Sequence, residues 1–253
     1  MPRALRLLAI VAALVLAAFW LAPALLLPSL AARLGDALGV KLALEDVRPA
    51  LPFGLSIGRA EVTRDGREME FTDLRVRLRS DGARIQAQVG DGTLLLLLDG
   101  LGARSGFLRA QAVPVERLDG WLPRALGLRG PLDGVYRFGA REAVEATIGQ
   151  GAVILRAPFP IELSFNQLIV TAEREANGGW RVDFADLRGP PVSGTAHGRI
   201  AEDGQLALAL EVTQLDEPAR SALASAGITV GALPYAGQVR GTLSLPLFIP
   251  ARR

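Results

Sequence analysis

The stretch Leu34–Val62 reads LGDALGVKLALEDVRPALPFGLSIGRAEV. Leucines at 30, 34 and 38 carry helical spacing into it, Gly39 turns it, and alternating segments broken by Pro49 and Pro52 follow. A short helix closed by a left-handed glycine and fed straight into strands accounts for this order. The question is why a chain would do this, and the residues on either side answer it.

Upstream, Leu7 to Ala32 contains no charged residue. As a helix that run is about 39 Å long, enough to cross a hydrocarbon core of ~30 Å. Arg3 and Arg6 precede it, while Arg33 and Asp36 after it balance. The positive-inside rule then leaves the N-terminus in the cytoplasm and exports everything beyond residue 33. Ala22-Pro23-Ala24 loosely matches a signal-peptide cleavage site, so a cleaved leader is the competing reading. The apolar character continues through Leu25–Leu27, which favours an uncleaved anchor. No second run of that length follows, so the expectation is a single-pass protein.

Downstream, the period becomes two. Leu74, Val76 and Leu78 alternate with arginines; Ile85, Ala87 and Val89 follow an Asp81-Gly82 turn. Ile161, Leu163 and Phe165 alternate in the same way, as do Val182 with Phe184, Leu206 through Val212, and Val239 through Leu245. Turn clusters at Asp65-Gly66, Asp91-Gly92, Asn177-Gly178-Gly179 and Asp203-Gly204 bound the runs. Hairpin-connected antiparallel strands with one dry face are expected. Leu94 to Leu98 break the alternation with five consecutive leucines. Both faces of that strand must be dry, covered either by a helix or by the occupant of an apolar groove.

The helix-to-strand step recurs. Leu118, Leu122 and Leu126 precede Gly127; Ala219, Leu223 and Ala226 precede Gly227. Strands are expected near residues 40, 128 and 228, an unequal spacing that suggests duplication more than a strict repeat. Short helices therefore cover parts of a long sheet whose ends and edges need protection.

Composition narrows the chemistry. The 253 residues are half apolar and carry a net charge of +2, with scattered arginines and one lysine, Lys41. No aromatic-and-basic platform argues for nucleic acid. There is no cysteine, so disulfides and thiolate metal sites are excluded. The single histidine, His197, lacks a second imidazole for a zinc site. Glu45 and Asp46 are adjacent on a strand and should face opposite ways; Asp183 and Asp186 differ by an odd step. Neither makes an acid–base pair, and no phosphate loop or nucleophile elbow occurs. The residues predict no enzyme, cofactor or metal.

The anchor, the helix ending LG-V, and Val47, Pro49, Leu51, Pro52, Gly54 and Leu55 before GRAEV resemble the N component of the type II (general) secretion pathway, a family related to AsmA-like periplasmic proteins. GLRGPLDGVYRF and GQVRGTLSLPLFIP resemble repeated units of the same group, with Gly127, Gly130, Gly227 and Gly241 as structural positions. The resemblance implies a mainly β fold: a curled antiparallel sheet with a few short amphipathic helices, on an inner-membrane anchor, facing the bacterial periplasm. The uncharged run puts the tip and anchor in 1–33 and the sheet in 34–253, and the recurring helix-to-strand step suggests duplicated halves meeting near 113–127. The resemblance implies an accessory secretion component working through contacts with other inner-membrane and periplasmic components. The alternative it implies is a lipid-binding or lipid-transfer module serving the outer membrane. The apolar residues of this chain expected to line such a groove are Leu94, Leu96, Leu98, Ile154 and Phe165.

Overall fold

A computed structural model describes residues 40–253, apart from 51–52, 65, 101–103, 122–125, 156–160, 226–229, 244 and 251–253. The apolar run, the segment with Leu30, Leu34 and Leu38, Pro52 and Gly227 lie outside the described residues. Among the described residues, no helix is long and apolar enough to cross a membrane.

The alternating pattern forms one antiparallel sheet of 14 strands. Its first six are consecutive: β1 (Lys41–Ala50), β2 (Gly54–Arg64), β3 (Arg67–Arg79), β4 (Gly82–Val89), β5 (Gly92–Asp99) and β6 (Ser105–Pro114). A 3-10 helix (Val115–Trp121) and β7 (Leu126–Arg129) leave the sheet before β8 (Pro131–Phe138) and β9 (Ala143–Ile148) rejoin it. β10 (Gly151–Leu155) and β11 (Ile161–Phe165) leave it again and pair with β7 in a second sheet of three strands, ordered β11-β10-β7. Then come β12 (Gln167–Arg174), β13 (Trp180–Arg188), β14 (Val192–Ile200) and β15 (Leu206–Leu215), helix α1 (Glu217–Ser225), β16 (Tyr235–Thr242) and β17 (Leu245–Pro250). β6 pairs directly with β8, so the main sheet runs unbroken past 113–127.

The two ends of the sheet differ. At one end the hairpin connections are short, such as 80–81 and 243–244. At the other end three connections, 115–130, 149–166 and 216–234, are long enough to carry the 3-10 helix, the small sheet and α1. These fold over one face and make the core. Val89, Ala110 and Val113 pack with Leu118 of the 3-10 helix; Val115, Ile148 and Phe165 pack with Leu128 and Val153; Ile161, Val192, Val212 and Leu215 pack with Ala219 and Leu223 of α1. The covering helices were legible as amphipathic spacing, with two corrections. The first is a 3-10 helix that ends at Trp121, so Leu126 opens a strand. After α1 the next strand starts at Tyr235, later than the 228 expected.

Three corrections concern alternation. Glu45 and Asp46 are both exposed, because Asp46 takes a positive φ of 54° and the alternation slips there. Phe184 is 41% exposed, because the register shifts between Val182 and Ala185. Leu243 and Leu245 are exposed, because Gly241 (φ 86°) and the tight turn to β17 end the run.

Candidate functional site

On the covered face, β1 to β6 leave an open trough of about 400 Å³ beyond the caps. Leu42 and Leu44 come from β1; Leu55, Ile57, Ala60 and Val62 from β2; Phe71, Leu74 and Val76 from β3. β4 adds Ile85 and Ala87, β5 adds Leu94 and Leu96, and β6 adds Leu108. Every one of these side chains is apolar. Phe71 and Leu94 also touch the cluster that holds Leu118, so the 3-10 helix closes one end of the trough. Toward the short hairpins Leu78 and Phe53 lie 54% and 67% exposed, joined by the Leu78 N–H donating to the Phe53 carbonyl at 2.9 Å. The strands of the floor hydrogen-bond to one another, so the floor offers side-chain carbon and few free amides.

The floor is continuous because three strands slip phase together. Leu44 lines the trough and Glu45-Asp46 step out; Ile57 and Ala60 both line it around Gly58-Arg59; Phe71 and Leu74 do so around Thr72-Asp73. The ladder skips Asp46 and Gly58 between the pairs Glu45 with Arg59 and Val47 with Ile57, and Gly58 and Asp73 between the pairs Ile57 with Leu74 and Arg59 with Thr72, so the three slips align. A Cβ at Gly58 would stand 2.8 Å from that of Asp46, so the line tolerates only glycine there.

Of the residues expected in a groove, Leu94 and Leu96 line this trough. Leu98 faces Ala83 and Gly106 beyond its lining. Ile154 pairs with Gly127 and Glu162 in the small sheet, and Phe165 is 3% exposed in the core beneath it. Both left the groove because the chain after β9 departs from the main sheet, a step with no local sequence signal. The glycines and prolines keep structural places. Pro49 sits in β1, and a side chain at Gly54 would collide with the Val76 carbonyl. Gly127 lies buried in β7, and Gly130 turns at φ 122°.

The second dry face expected for Leu94–Leu98 is different. Leu95 and Leu97 are half-buried, and their cross-strand neighbours are Gln86 with Arg109 and Arg84 with Phe107. Long stems alongside shade them, as such side chains do on sheet surfaces.

His197 is exposed on β14 opposite Ala209. Asp186, 7% exposed, accepts from Arg188 Nε at 2.6 Å; Asp183 accepts from Arg181 Nε at 2.6 Å. Arg174 donates to Glu142 at 3.0 Å and Tyr136 donates to it at 2.9 Å. The Arg174 bond, then the Tyr136 bond, holds the Glu142 carboxyl below the usual glutamate range. Burial first, then the bond to Glu142, pushes the Tyr136 hydroxyl up. Among the described residues, no group of three or more His, Asp or Glu is placed to hold a metal. Neither a protein-family model, nor a curated protein, nor a solved structure matches this chain.

Proposed function

We propose that the chain is an exported, membrane-anchored β-groove protein whose trough holds the hydrocarbon chain of a lipid. The observation that carries this reading is an open trough of about 400 Å³ with an all-apolar lining. Ligand pockets commonly fall between roughly 300 and 1,000 Å³. A hydrocarbon needs no hydrogen bond there, and burying it gains about 25 cal/mol per Å² of apolar surface. An extended peptide would bury amides against the paired floor with no partners, at about 1–3 kcal/mol for each unsatisfied group. Anchor and export rest on the uncharged run 7–32.

A second reading is the accessory secretion component, working by contact with other parts of that machinery. The edge of β1, which pairs with no further strand among the described residues, favours it. From Lys41 to Glu45 it carries no proline, so a partner strand could add to it. The opposite edge, β17, has Pro246 and Pro250 without amide donors.

Two leucine variants decide between a trough and a solid core. Leu96 lines the trough, while Leu95 faces the other way beside Gln86 and Arg109. Leu95→Asp should cost less than Leu96→Asp, on the order of 1 kcal/mol, because Leu95 is half-buried among polar stems that can solvate a carboxylate. Leu96→Asp should lose about 1–3 kcal/mol of apolar burial and abolish lipid recovery. The measurements are thermal unfolding of both variants and mass spectrometry of lipid extracted with the purified chain. Equal losses of stability, with no lipid in the wild type, would remove the lipid reading and leave the secretion reading standing.

A further inference from the structure

Opposite the trough, the face of β1–β6 carries Glu45, Glu61, Glu70 and Asp73 toward the capped end, while its half toward the short hairpins carries a charge pattern that the fold itself does not use. Residues that alternate with the lining face outward. The register aligns them in two transverse rows: Arg48, Ser56, Arg75, Gln86, Leu95 and Arg109, then Gly54, Arg77, Arg84, Leu97 and Phe107. Arg48, Arg75, Arg77, Arg84 and Arg109 are all exposed, and among the described residues none of them forms an ion pair. Toward the capped end of this same face Arg59 pairs with Glu70 at 2.9 Å, and farther along the sheet Arg137 pairs with Glu145 at 2.9 Å, Arg181 with Glu173 at 2.9 Å and Arg199 with Glu175 at 3.1 Å. Moreover, Arg77 and Arg84 are direct cross-strand partners, an arrangement that opposes folding. Six strands at about 4.8 Å make the patch roughly 24 Å wide.

We infer that this outer face docks on an anionic phospholipid surface, the arginines binding lipid phosphates and Leu95, Leu97 and Phe107 resting at the headgroup level. Guanidinium forks match phosphate oxygens in pairs. Half-buried leucines and a ring among the cations suit a lipid interface better than a nucleic acid, whose bases would need stacking platforms. The inference rests on the anchor reading for its geometry. Residues 33–40 join the apolar run to β1, and eight residues reach at most about 28 Å. An anchored sheet is thereby held beside the bilayer, where a weak charged contact acts at high effective concentration. The trough then opens away from that membrane.

The chain has no cysteine, so single labels are clean. Ser56→Cys, inside the patch, and Ala207→Cys, exposed on β15, each carry an environment-sensitive fluorophore in the full chain. Vesicles contain phosphatidylcholine with or without phosphatidylglycerol, plus a nitroxide-headgroup lipid as quencher. We expect quenching at position 56 only with phosphatidylglycerol, reversed by salt and absent at 207. Each of Arg75→Gln, Arg77→Gln and Arg84→Gln should weaken it on the order of fivefold. Their melting temperatures should not fall, since like-charge opposition is relieved. Quenching at 56 that matches 207, ignores phosphatidylglycerol or survives the combined Arg75→Gln, Arg77→Gln and Arg84→Gln substitutions overturns the inference, including in favour of an acidic protein partner. Flotation with phosphatidylcholine alone reads the anchor separately. A chain that floats only with phosphatidylglycerol loses the anchor reading and keeps this one.

Discussion

Asp46 and Asp73 sit at φ of 54° and 49°, where a branched side chain meets its own carbonyl and aspartate is tolerated through local hydrogen bonding. Each is the step at which a strand changes phase while keeping its apolar residues on the trough face. The slip was written in the sequence. Met69 and Phe71 share a face with Leu74, Val76 and Leu78, a spacing of three inserted into a period of two. Leu42 and Leu44 before Val47, and Leu55 and Ile57 before Ala60, repeat it. Reading Glu45 and Asp46 as a plain alternating pair overlooked this, because a single strand shows only an irregularity and the alignment of three appears with the register. Asp73→Gly should therefore cost less than about 0.5 kcal/mol, while Asp73→Val should cost about 1–3 kcal/mol through backbone strain. Chemical denaturation of the two variants gives the comparison. Equal stabilities would mean that the positive φ imposes no demand on residue type.

At the level of elements, strand spacing and turn chemistry were legible because period two and Asp-Gly turns are local properties. α1 was legible for the same reason, and its start is capped by Asp216, whose carboxylate accepts the Ala219 N–H at 2.8 Å. The small sheet was not legible. Ile161, Leu163 and Phe165 alternate as cleanly as any main-sheet strand, and nothing local says that their partner is Gly151–Leu155. That choice is made by burial of Phe165 against Val115 and Ile148, contacts distant in sequence. At the opposite end the sheet relies on a polar tie instead. Glu142 joins Tyr136 of β8 to Arg174 of β12, with Trp180 beside the tyrosine ring at 6.3 Å. The folded carboxyl titrates below its unfolded value, so its contribution is present above the ordinary glutamate pKa and is lost as pH falls through the lower folded one. Wild type should lose melting temperature over that acid window more steeply than Glu142→Gln, and the two curves should converge at its acid end. Curves that stay parallel would show that the carboxylate is not linked to folding.

At the scale of the whole molecule, the sheet is asymmetric in every direction: capped and open ends, an apolar trough against a face with two arginine-bearing rows, and, among the described residues, an unpaired edge at β1 against a proline-bearing one at β17. β1 begins at the capped end. The two later helix-to-strand steps enter the sheet at that same end. The anchor reading has a consequence for the whole sheet. With Arg3 and Arg6 retained on the cytoplasmic side, all 14 strands follow a single crossing and must share one compartment. An alkaline phosphatase joined after Arg253 should be active, and a reporter that works only in the cytoplasm should be silent at the same point. Moving Arg3 and Arg6 to the far side of the run should exchange the two signals. A silent phosphatase with an active cytoplasmic reporter in the unaltered chain would refute export and, with it, a trough loaded outside the cytoplasm.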